Sequence, residues 1–146
     1  MKDRLVVCTS CSSTNRLPST RPALAAKCGR CGARLFDGIP GDVTGTNLTA
    51  QVARSGIPVL VDVWAPWCGP CRMMAPAYEA AARTLEPDIR VVKVNSEAEQ
   101  AAAARLGIRS IPTMVLFDSG REVARVSGAM TTSDRIVEWV RTQLPS

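Results

Sequence analysis

The six cysteines of this 146-residue chain are its best candidates for metal binding or redox chemistry. They form three pairs, each with two residues between its cysteines. The first two pairs are separated by 16 residues, a spacing typical of a four-cysteine zinc site. Each such turn presents two sulfurs to one point, and zinc binds four of these ligands in a tetrahedron. The chain has no histidine, so a mixed cysteine–histidine site is excluded. The pattern predicts one structural zinc held by Cys8, Cys11, Cys28 and Cys31.

Two structural disulfides among these four cysteines are the alternative. The N-terminal sequence has no apolar stretch of the kind found in secretory signals, so we expect an intracellular, reducing compartment, which disfavours disulfides. Segments shorter than about 40 residues also rarely build a sufficient apolar core and usually need a metal or cross-links. We therefore predict a small zinc ribbon of short strands over residues 1–36.

The charge of the chain is concentrated in this segment. The net charge is +5, with +6 in residues 1–36 and −1 in the remainder. A basic segment could bind nucleic acid, but Phe36 is its only aromatic residue, which argues against stacking on bases. The basic side chains would also offset the negative charge of zinc bound by four thiolates. No apolar run is long enough for a membrane span, so we expect no membrane partner, and nucleic acid remains the weaker alternative.

The third pair, Cys68 and Cys71, has a different setting. It follows the apolar, β-branched run Pro58–Trp64 and opens a predicted helix over Cys68–Leu85. The N-terminus of a helix favours a thiolate through its partial positive charge and its free N–H groups. Cys71 would lie one turn deeper and less exposed, within reach of a disulfide. No third and fourth ligands remain for a metal, so the pair predicts a site of thiol–disulfide exchange.

The pattern of apolar residues predicts alternating strands and helices from residue 43 onward. Besides the strand and helix at the third pair, these are a short helix capped by Asn47, a strand over 89–95, a helix over 97–106, a hairpin of 114–117 with 122–127, and a last helix from Ser133. With one strand ahead of the first of these helices, the order is βαβαβαββα, which predicts an α/β fold with a mixed sheet between helices. Turn residues over 37–42 predict a linker between the ribbon (1–36) and this second domain (43–146).

The segment Val61–Arg72, with the sequence VDVWAPWCGPCR, closely resembles the active site of the thioredoxin family. Further matches, in the family's order and spacing, are Lys93, Ile111-Pro112-Thr113, Gly120 and Gly128-Ala129. The four-cysteine segment resembles that of the zinc-containing bacterial thioredoxins, the thioredoxin 2 group. The resemblance implies a thioredoxin fold and a general protein disulfide reductase. It also implies a cytoplasmic, monomeric protein that is recycled by an NADPH-dependent thioredoxin reductase.

The resemblance also implies roles for individual residues. Cys68 would attack the substrate disulfide, and Cys71 would resolve the mixed disulfide. Asp62 would be a buried acid beneath them, with Lys93 as its neighbour, and Pro112 would be a cis-proline facing the pair. The substrate-facing residues would be Trp67, Gly69, Pro70, Ile111, Pro112, Gly128 and Ala129.

Some of these positions have simpler explanations, which the sequence leaves open. Lys93 could be a solvated lysine at a strand end, and Gly128 could serve only a turn. Asp62 lies in the middle of an apolar strand, where burial should raise its pKa. A chaperone or zinc sensor controlled by oxidation is also compatible with the sequence.

Overall fold

A computed structural model describes residues 3–145, so the outer ends of the two predicted domains, at residues 1–2 and 146, lie outside the described residues. The chain forms a two-stranded ribbon and a five-stranded sheet flanked by helices. The strands are β1 (Arg4–Val7), β2 (Thr14–Leu17), β3 (Gly41–Asp42), β4 (Val59–Trp64), β5 (Arg90–Asn95), β6 (Thr113–Asp118) and β7 (Arg121–Ser127). The helices are α1 (Gly45–Arg54), α2 (Gly69–Leu85), α3 (Gln100–Arg105) and α4 (Ser133–Gln143), with a short 3-10 helix at Ala23–Ala25. The predicted α/β architecture and element order are confirmed.

The five-stranded sheet is mixed, with the strand order β3-β5-β4-β6-β7. The central strand β4 pairs in parallel with β5 and antiparallel with β6. The hairpin of β6 and β7 turns through Ser119 and Gly120, which have φ values of 55° and 80°, as expected for a tight two-residue hairpin turn. Helices cover both faces of β4, which explains why its sequence is almost continuously apolar.

Alternation along β4 sends its side chains into two separate cores. Val59, Val61 and Val63 pack against α1 and α3, whereas Leu60 packs against α2 and α4. Successive side chains on a strand point to opposite faces, so Asp62 lies on the Leu60 face, toward α2. The only carboxylate of β4 is therefore placed between the sheet and the helix that begins at the third cysteine pair.

The helices are amphipathic. In α4 the buried side chains are Ile136, Val137 and Val140, which lie on one face of the helix at the i, i+1, i+4 spacing of an apolar stripe. Across residues 3–145, no helix combines the length and the apolar character needed to cross a bilayer.

Three helices begin at residues other than those predicted; α1 and α3 are described here, and α2 is described with the cysteine pair at its start. The predicted cap of α1, Asn47, is wrong: the Thr44 hydroxyl oxygen accepts the N–H of Asn47 at 3.1 Å and caps the helix. Asn47 is itself buried and points its side chain toward the ribbon. Helix α3 begins at Gln100 instead of Glu97, because the side-chain oxygen of Asn95 accepts the Glu97 N–H and forms a turn.

The segment predicted as a linker, 37–42, lies against the second unit. Its last two residues, Gly41–Asp42, form β3 and pair in parallel with β5 at the edge of the sheet. A side chain at Gly38 would contact Arg83 on α2, so this part of the segment runs closely over that helix. The division of the chain into two domains stays a prediction.

Candidate functional site

The third cysteine pair lies where β4 ends and α2 begins. Cys68 and Cys71 are joined by a disulfide, with their Cα atoms 5.2 Å apart. Helix α2 begins at Gly69, one residue later than predicted, so Cys68 is its N-cap and its Sγ accepts the Cys71 N–H at 3.2 Å. After reduction, this N–H group and the helix dipole would both stabilise a thiolate at Cys68. Both cysteines are buried in the disulfide form, at 4% and 3% exposure, so the predicted difference in exposure is small.

Asp62 lies behind this pair. Asp62 and Cys71 line the same cavity, which has a volume of about 80 Å³. The carboxyl group is buried, and its Oδ1 has no hydrogen-bond partner among the described residues. Burial raises the pKa of Asp62 from 3.8 to about 7, and the positive charge of Lys93 opposes part of this increase. The prediction of a raised pKa is confirmed, and a carboxyl group with this pKa can accept and release a proton near neutral pH.

Lys93 is the neighbour of Asp62 on the adjacent strand. The two residues are register partners between β4 and β5, and both line the cavity. The Lys93 Nζ lies 4.9 Å from the centroid of the Trp64 ring, within the range of a cation–π contact. Lys93 is therefore a half-buried, packed lysine and not a solvated residue at a strand end.

A second group of predicted residues meets at Cys68. The carbonyl oxygen of Ile111 lies 3.9 Å from the Cys68 Sγ, and the Ile111 side chain packs against the cysteine pair. The Ile111–Pro112 peptide bond is cis, as the resemblance implies. The Gly128 N–H donates to the Pro112 carbonyl oxygen at 2.9 Å, and Gly128 has a φ of 98°. The structure thus places Ile111 beside Cys68 and links the next residue, Pro112, to Gly128.

The remaining predicted residues occupy the surface around this point. Trp67 precedes Cys68 in the chain and is 66% exposed, an unusual value for a large aromatic side chain. Gly69 and Pro70 form the first turn of α2, and Ala129 is exposed beside Gly128 in the chain. Their substrate-binding roles stay predictions.

The other four cysteines form a compact cluster in the ribbon. The Sγ atoms of Cys8, Cys11, Cys28 and Cys31 all lie within 4.8 Å of one another. Two of the sulfur pairs, Cys8 with Cys31 and Cys11 with Cys28, are 3.6 Å apart. Tetrahedral zinc with bonds of about 2.3 Å requires sulfurs separated by about 3.8 Å. The cluster therefore fits zinc in the nature, number and spacing of its ligands.

The two turns that carry these cysteines have equivalent hydrogen bonds. Gly32 donates its N–H to the Cys28 carbonyl oxygen at 2.9 Å, and Ser12 donates its N–H to the Cys8 carbonyl oxygen at 3.0 Å. Gly32 has a φ of 78°, a conformation that glycine adopts readily, and Ser12 adopts a similar value of 65° without being glycine. The Ser12 hydroxyl accepts a hydrogen bond of 2.8 Å from the Asn47 side chain, which helps to hold this unusual conformation.

Hydrogen-bond donors around Cys28 favour the thiolate form of this residue. Asn15 donates its side-chain N–H to the Cys28 Sγ at 3.4 Å and accepts the Gly29 N–H through Oδ1 at 2.9 Å. The Cys31 backbone N–H, followed by Asn15, lowers the pKa of Cys28 to about 6. Metal-bound cysteine is deprotonated, so these donors suit a metal ligand. Sequence analysis did not identify Asn15, because only the fold brings it to the sulfur.

The ribbon is held on the second unit by buried polar side chains that the sequence analysis missed. Gln51 Nε2 donates to the Val7 carbonyl oxygen at 3.0 Å, and Asn47 Nδ2 donates to the Cys8 carbonyl oxygen at 2.9 Å. Arg90 donates to the Leu35 carbonyl oxygen at 2.7 Å and to the Val7 carbonyl oxygen at 3.0 Å. These donors come from α1 and β5, so the second unit satisfies backbone acceptors of the ribbon.

Arg90 belongs to a buried ion pair at this interface. Its side chain is 3% exposed and lies 3.4 Å from the Glu86 carboxylate, which is 1% exposed. Its guanidinium group also lies 4.3 Å from the centroid of the Phe36 ring. Burial raises the pKa of Glu86 to about 7, against the effect of Arg90. Phe36 is 1% exposed, so the only aromatic residue of the ribbon is not available to stack on nucleic-acid bases.

Known families match both parts of the chain. The thioredoxin family matches residues 40–142, and the N-terminal zinc-ribbon family of thioredoxin 2 matches residues 7–33. Thioredoxin C-3 of Corynebacterium nephridii is 39% identical over 140 residues, which cover 96% of this chain and 95% of that protein. Thioredoxin 1 of a Nostoc species is 47% identical over 98 residues, which cover 66% of this chain and 92% of that protein.

A solved structure supports the same assignment. The structure of a mutant thioredoxin from Halobacterium salinarum superimposes with a TM-score of 0.64 at 32% identity and covers 76% of this chain and 96% of that one. The disulfide at the start of α2 and the four-cysteine cluster in the ribbon agree with these matches. The chain therefore belongs to the thioredoxin family of thiol–disulfide oxidoreductases and carries the N-terminal zinc-ribbon segment of the thioredoxin 2 type.

Proposed function

We propose that this protein reduces disulfides in other proteins, with Cys68 as the attacking residue and Cys71 as the resolving residue. The observation that carries the proposal is the position of Cys68 as the N-cap of α2, with Cys71 lining the same cavity as the buried Asp62. The arrangement gives the two sulfurs different chemical environments. The Cys68 sulfur accepts an N–H hydrogen bond and lies at the positive end of the helix dipole, and Cys71 lines the cavity that contains the Asp62 carboxyl group.

The first step uses the stabilised sulfur. The Cys68 thiolate attacks one sulfur of the substrate disulfide, a mixed disulfide forms, and the other substrate sulfur leaves as a thiolate. The Cys71 N–H would stabilise the Cys68 thiolate before this attack.

The second step needs a proton acceptor. Cys71 loses its proton to Asp62 through water in the cavity, and its thiolate then attacks the Cys68 Sγ. The second substrate thiolate leaves, and the Cys68–Cys71 disulfide forms, so two electrons pass from the protein to the substrate. The raised pKa of Asp62 supports this role, because a carboxylate with an ordinary pKa would be a weak base for a thiol.

Substrate binding would use the surface beside Cys68. The Ile111 backbone lies beside the Cys68 sulfur, where it could pair with the backbone of an extended substrate segment. Pro112 has no N–H group that would form a hydrogen bond in place of the substrate. Gly128 offers a close approach to the backbone, and the exposed Trp67 offers a flat apolar contact. We therefore propose unfolded or extended segments around a disulfide as substrates.

We further propose that an NADPH-dependent thioredoxin reductase restores the dithiol and that the protein works in the cytoplasm. A reducing compartment keeps both the Cys68–Cys71 pair and the four ribbon cysteines available as thiols. In the ribbon, Cys8, Cys11, Cys28 and Cys31 would hold one zinc ion, which supplies folding energy to a segment with a small core.

A disulfide reduction assay tests the proposed function. The full-length protein, supplied with NADPH and a thioredoxin reductase, should reduce insulin disulfides, and NADPH oxidation measures the rate. The Cys68→Ser variant is the matched control, because it keeps the fold and the zinc ligands but lacks the attacking sulfur. A wild-type rate no higher than that of Cys68→Ser would contradict the proposal.

A further inference from the structure

The cavity that Asp62 and Cys71 line has one wall residue from outside the five-stranded sheet. Pro40 precedes β3 and lines the cavity together with Asp62 and Cys71. Pro40 is buried, whereas the preceding residue, Ile39, is 63% exposed. The proline ring therefore turns inward while its neighbour faces solvent.

The position of Pro40 is set by anchors on both sides. On its N-terminal side, Phe36 is buried under the Arg90 guanidinium, and the Leu35 carbonyl oxygen accepts a hydrogen bond of 2.7 Å from Arg90. On its C-terminal side, β3 pairs with β5, and the Val43 N–H donates to the Lys93 carbonyl oxygen at 2.9 Å. Only a few residues separate these anchors, so the segment has little freedom to move away from the cavity.

The volume of the cavity suits a small number of water molecules. Its volume is about 80 Å³, and a buried site needs only about 10–15 Å³ of such volume for one water. Asp62 Oδ1 and Trp64 Nε1 both lack partners among the described residues, so water held there would find an acceptor and a donor. The charged and titratable groups that line the cavity with Asp62 are Cys71, Arg72, Tyr78 and Glu79 from α2 and Lys93 from β5.

An apolar ring in the wall of this cavity would affect the proton transfer. Proline has no N–H to donate to the carboxylate, and its ring excludes bulk water from one side. With the ring in place, the carboxyl group remains poorly solvated and is a stronger base. With the ring removed, bulk water would solvate the carboxylate and weaken it as a base for the Cys71 thiol.

We propose that Pro40 is a positioning residue for the resolving step, because it closes the cavity between Asp62 and Cys71 and limits the water there to a few molecules. This inference rests on the proposed role of Asp62 as the proton acceptor. It assigns a function to the segment between the ribbon and the sheet: the anchors at Phe36 and β3 hold the closing residue in place.

Full-length variants at two adjacent positions test the inference. Pro40→Ala removes the ring, Pro40→Val replaces it with a similar apolar volume, and Ile39→Ala changes the exposed neighbour in the same segment. Pro40→Ser places a hydroxyl in the wall of the cavity. It is a second variant that opens the cavity to water, in case Pro40→Ala does not fold. The pKa of Asp62 is followed by NMR of its carboxyl carbon, and the resolving step is followed by rapid mixing with a disulfide substrate.

We expect Pro40→Ala to lower the pKa of Asp62 by about one unit from its value of about 7 and to slow the resolving step at pH 7 by about three- to ten-fold. The rate at which Cys68 is alkylated reports on the first step, and in Pro40→Ala it should change by less than about two-fold. Pro40→Val and Ile39→Ala should both resemble the wild type. An unchanged Asp62 pKa in the opening variants, or an equal change in Ile39→Ala, would overturn the inference.

Asp62→Asn separates this inference from the function on which it rests. If Asp62→Asn slows the resolving step but the opening variants do not, only the role of Pro40 is refuted. If Asp62→Asn leaves the resolving step unchanged, the proton acceptor and the role of Pro40 are both refuted.

Discussion

The replacement of Asp62 by asparagine tests the central electrostatic feature of the site. The pKa of Asp62 in the folded protein is about 7, against 3.8 for an exposed aspartate, so the folded state holds the proton more tightly than the unfolded chain does. Its contribution to stability is fully present below pH 3.8 and is lost as the pH rises toward 7. Asp62→Asn should therefore stabilise the protein, and the gain should increase over this pH range.

The size of the gain follows from the two pKa values. A difference between 3.8 and about 7 corresponds to about 4 kcal/mol for keeping Asp62 ionised in the folded state at pH 8. At pH 5 the folded protein is still largely protonated at Asp62, and the corresponding cost is about 1–2 kcal/mol. The asparagine amide must itself be hydrogen-bonded in the cavity, which reduces the gain. We expect Asp62→Asn to increase the free energy of unfolding by about 2–4 kcal/mol at pH 8 and by about 1 kcal/mol at pH 5.

Denaturant unfolding followed by tryptophan fluorescence measures this difference, because Trp64, Trp67 and Trp139 all lie in the second unit. Asp42→Asn is the matched control, since Asp42 is an exposed carboxylate on the same sheet, and its effect should stay within about 0.5 kcal/mol at both pH values. Comparison of each variant with the wild type at one pH removes the contribution of Glu86, which also titrates near neutrality. A gain that is absent at pH 8, or equal at both pH values, would show that burial does not raise the Asp62 pKa and would remove the basis for its role as a proton acceptor.

Three further predictions concern the cysteines and the interface. Cys71→Ser should accumulate mixed disulfides with substrate proteins on non-reducing gels, and Cys68→Ser should not; equal trapping would reject the assigned roles. Elemental analysis should find one zinc per chain after purification under reducing conditions, and Cys28→Ser should lose it and speed amide hydrogen exchange in β1 and β2; zinc retained by this variant would contradict the ligand set. Arg90→Met should lower the free energy of unfolding by about 3–5 kcal/mol, because it leaves Glu86 buried without its partner, and adding Glu86→Gln should recover part of the loss; a cost below about 1 kcal/mol would show that the pair is not buried in solution.

The sequence by itself predicted most of the strands and helices and both cysteine sites, although β3 lies in the segment predicted as a linker and the starts of three helices differ. The apolar run of β4, the alternation of strands and helices and the hairpin turn are local patterns, so they predict the fold class without any long-range contact. The cysteine pairs are also local, because a separation of two residues already brings two sulfurs close together. The pKa of Asp62 was predictable in direction, since a carboxylate in the middle of a buried strand has few ways to be solvated.

Only the tertiary structure decided which distant residues support these sites. Asparagine is a common helix-capping residue, but Asn47 is buried against the ribbon. That burial depends on its contact with Cys8, which is 39 positions away in the chain. Arg90 and Glu86 look like surface charges in the sequence, but the ribbon covers them, and its carbonyl groups accept the Arg90 hydrogen bonds. Pro40 looks like part of a turn, and it lines the Asp62 cavity because β3 pairs with β5. Local patterns determine elements and short-range ligand geometry, whereas burial, charge pairing and the closure of a cavity depend on which elements pack together.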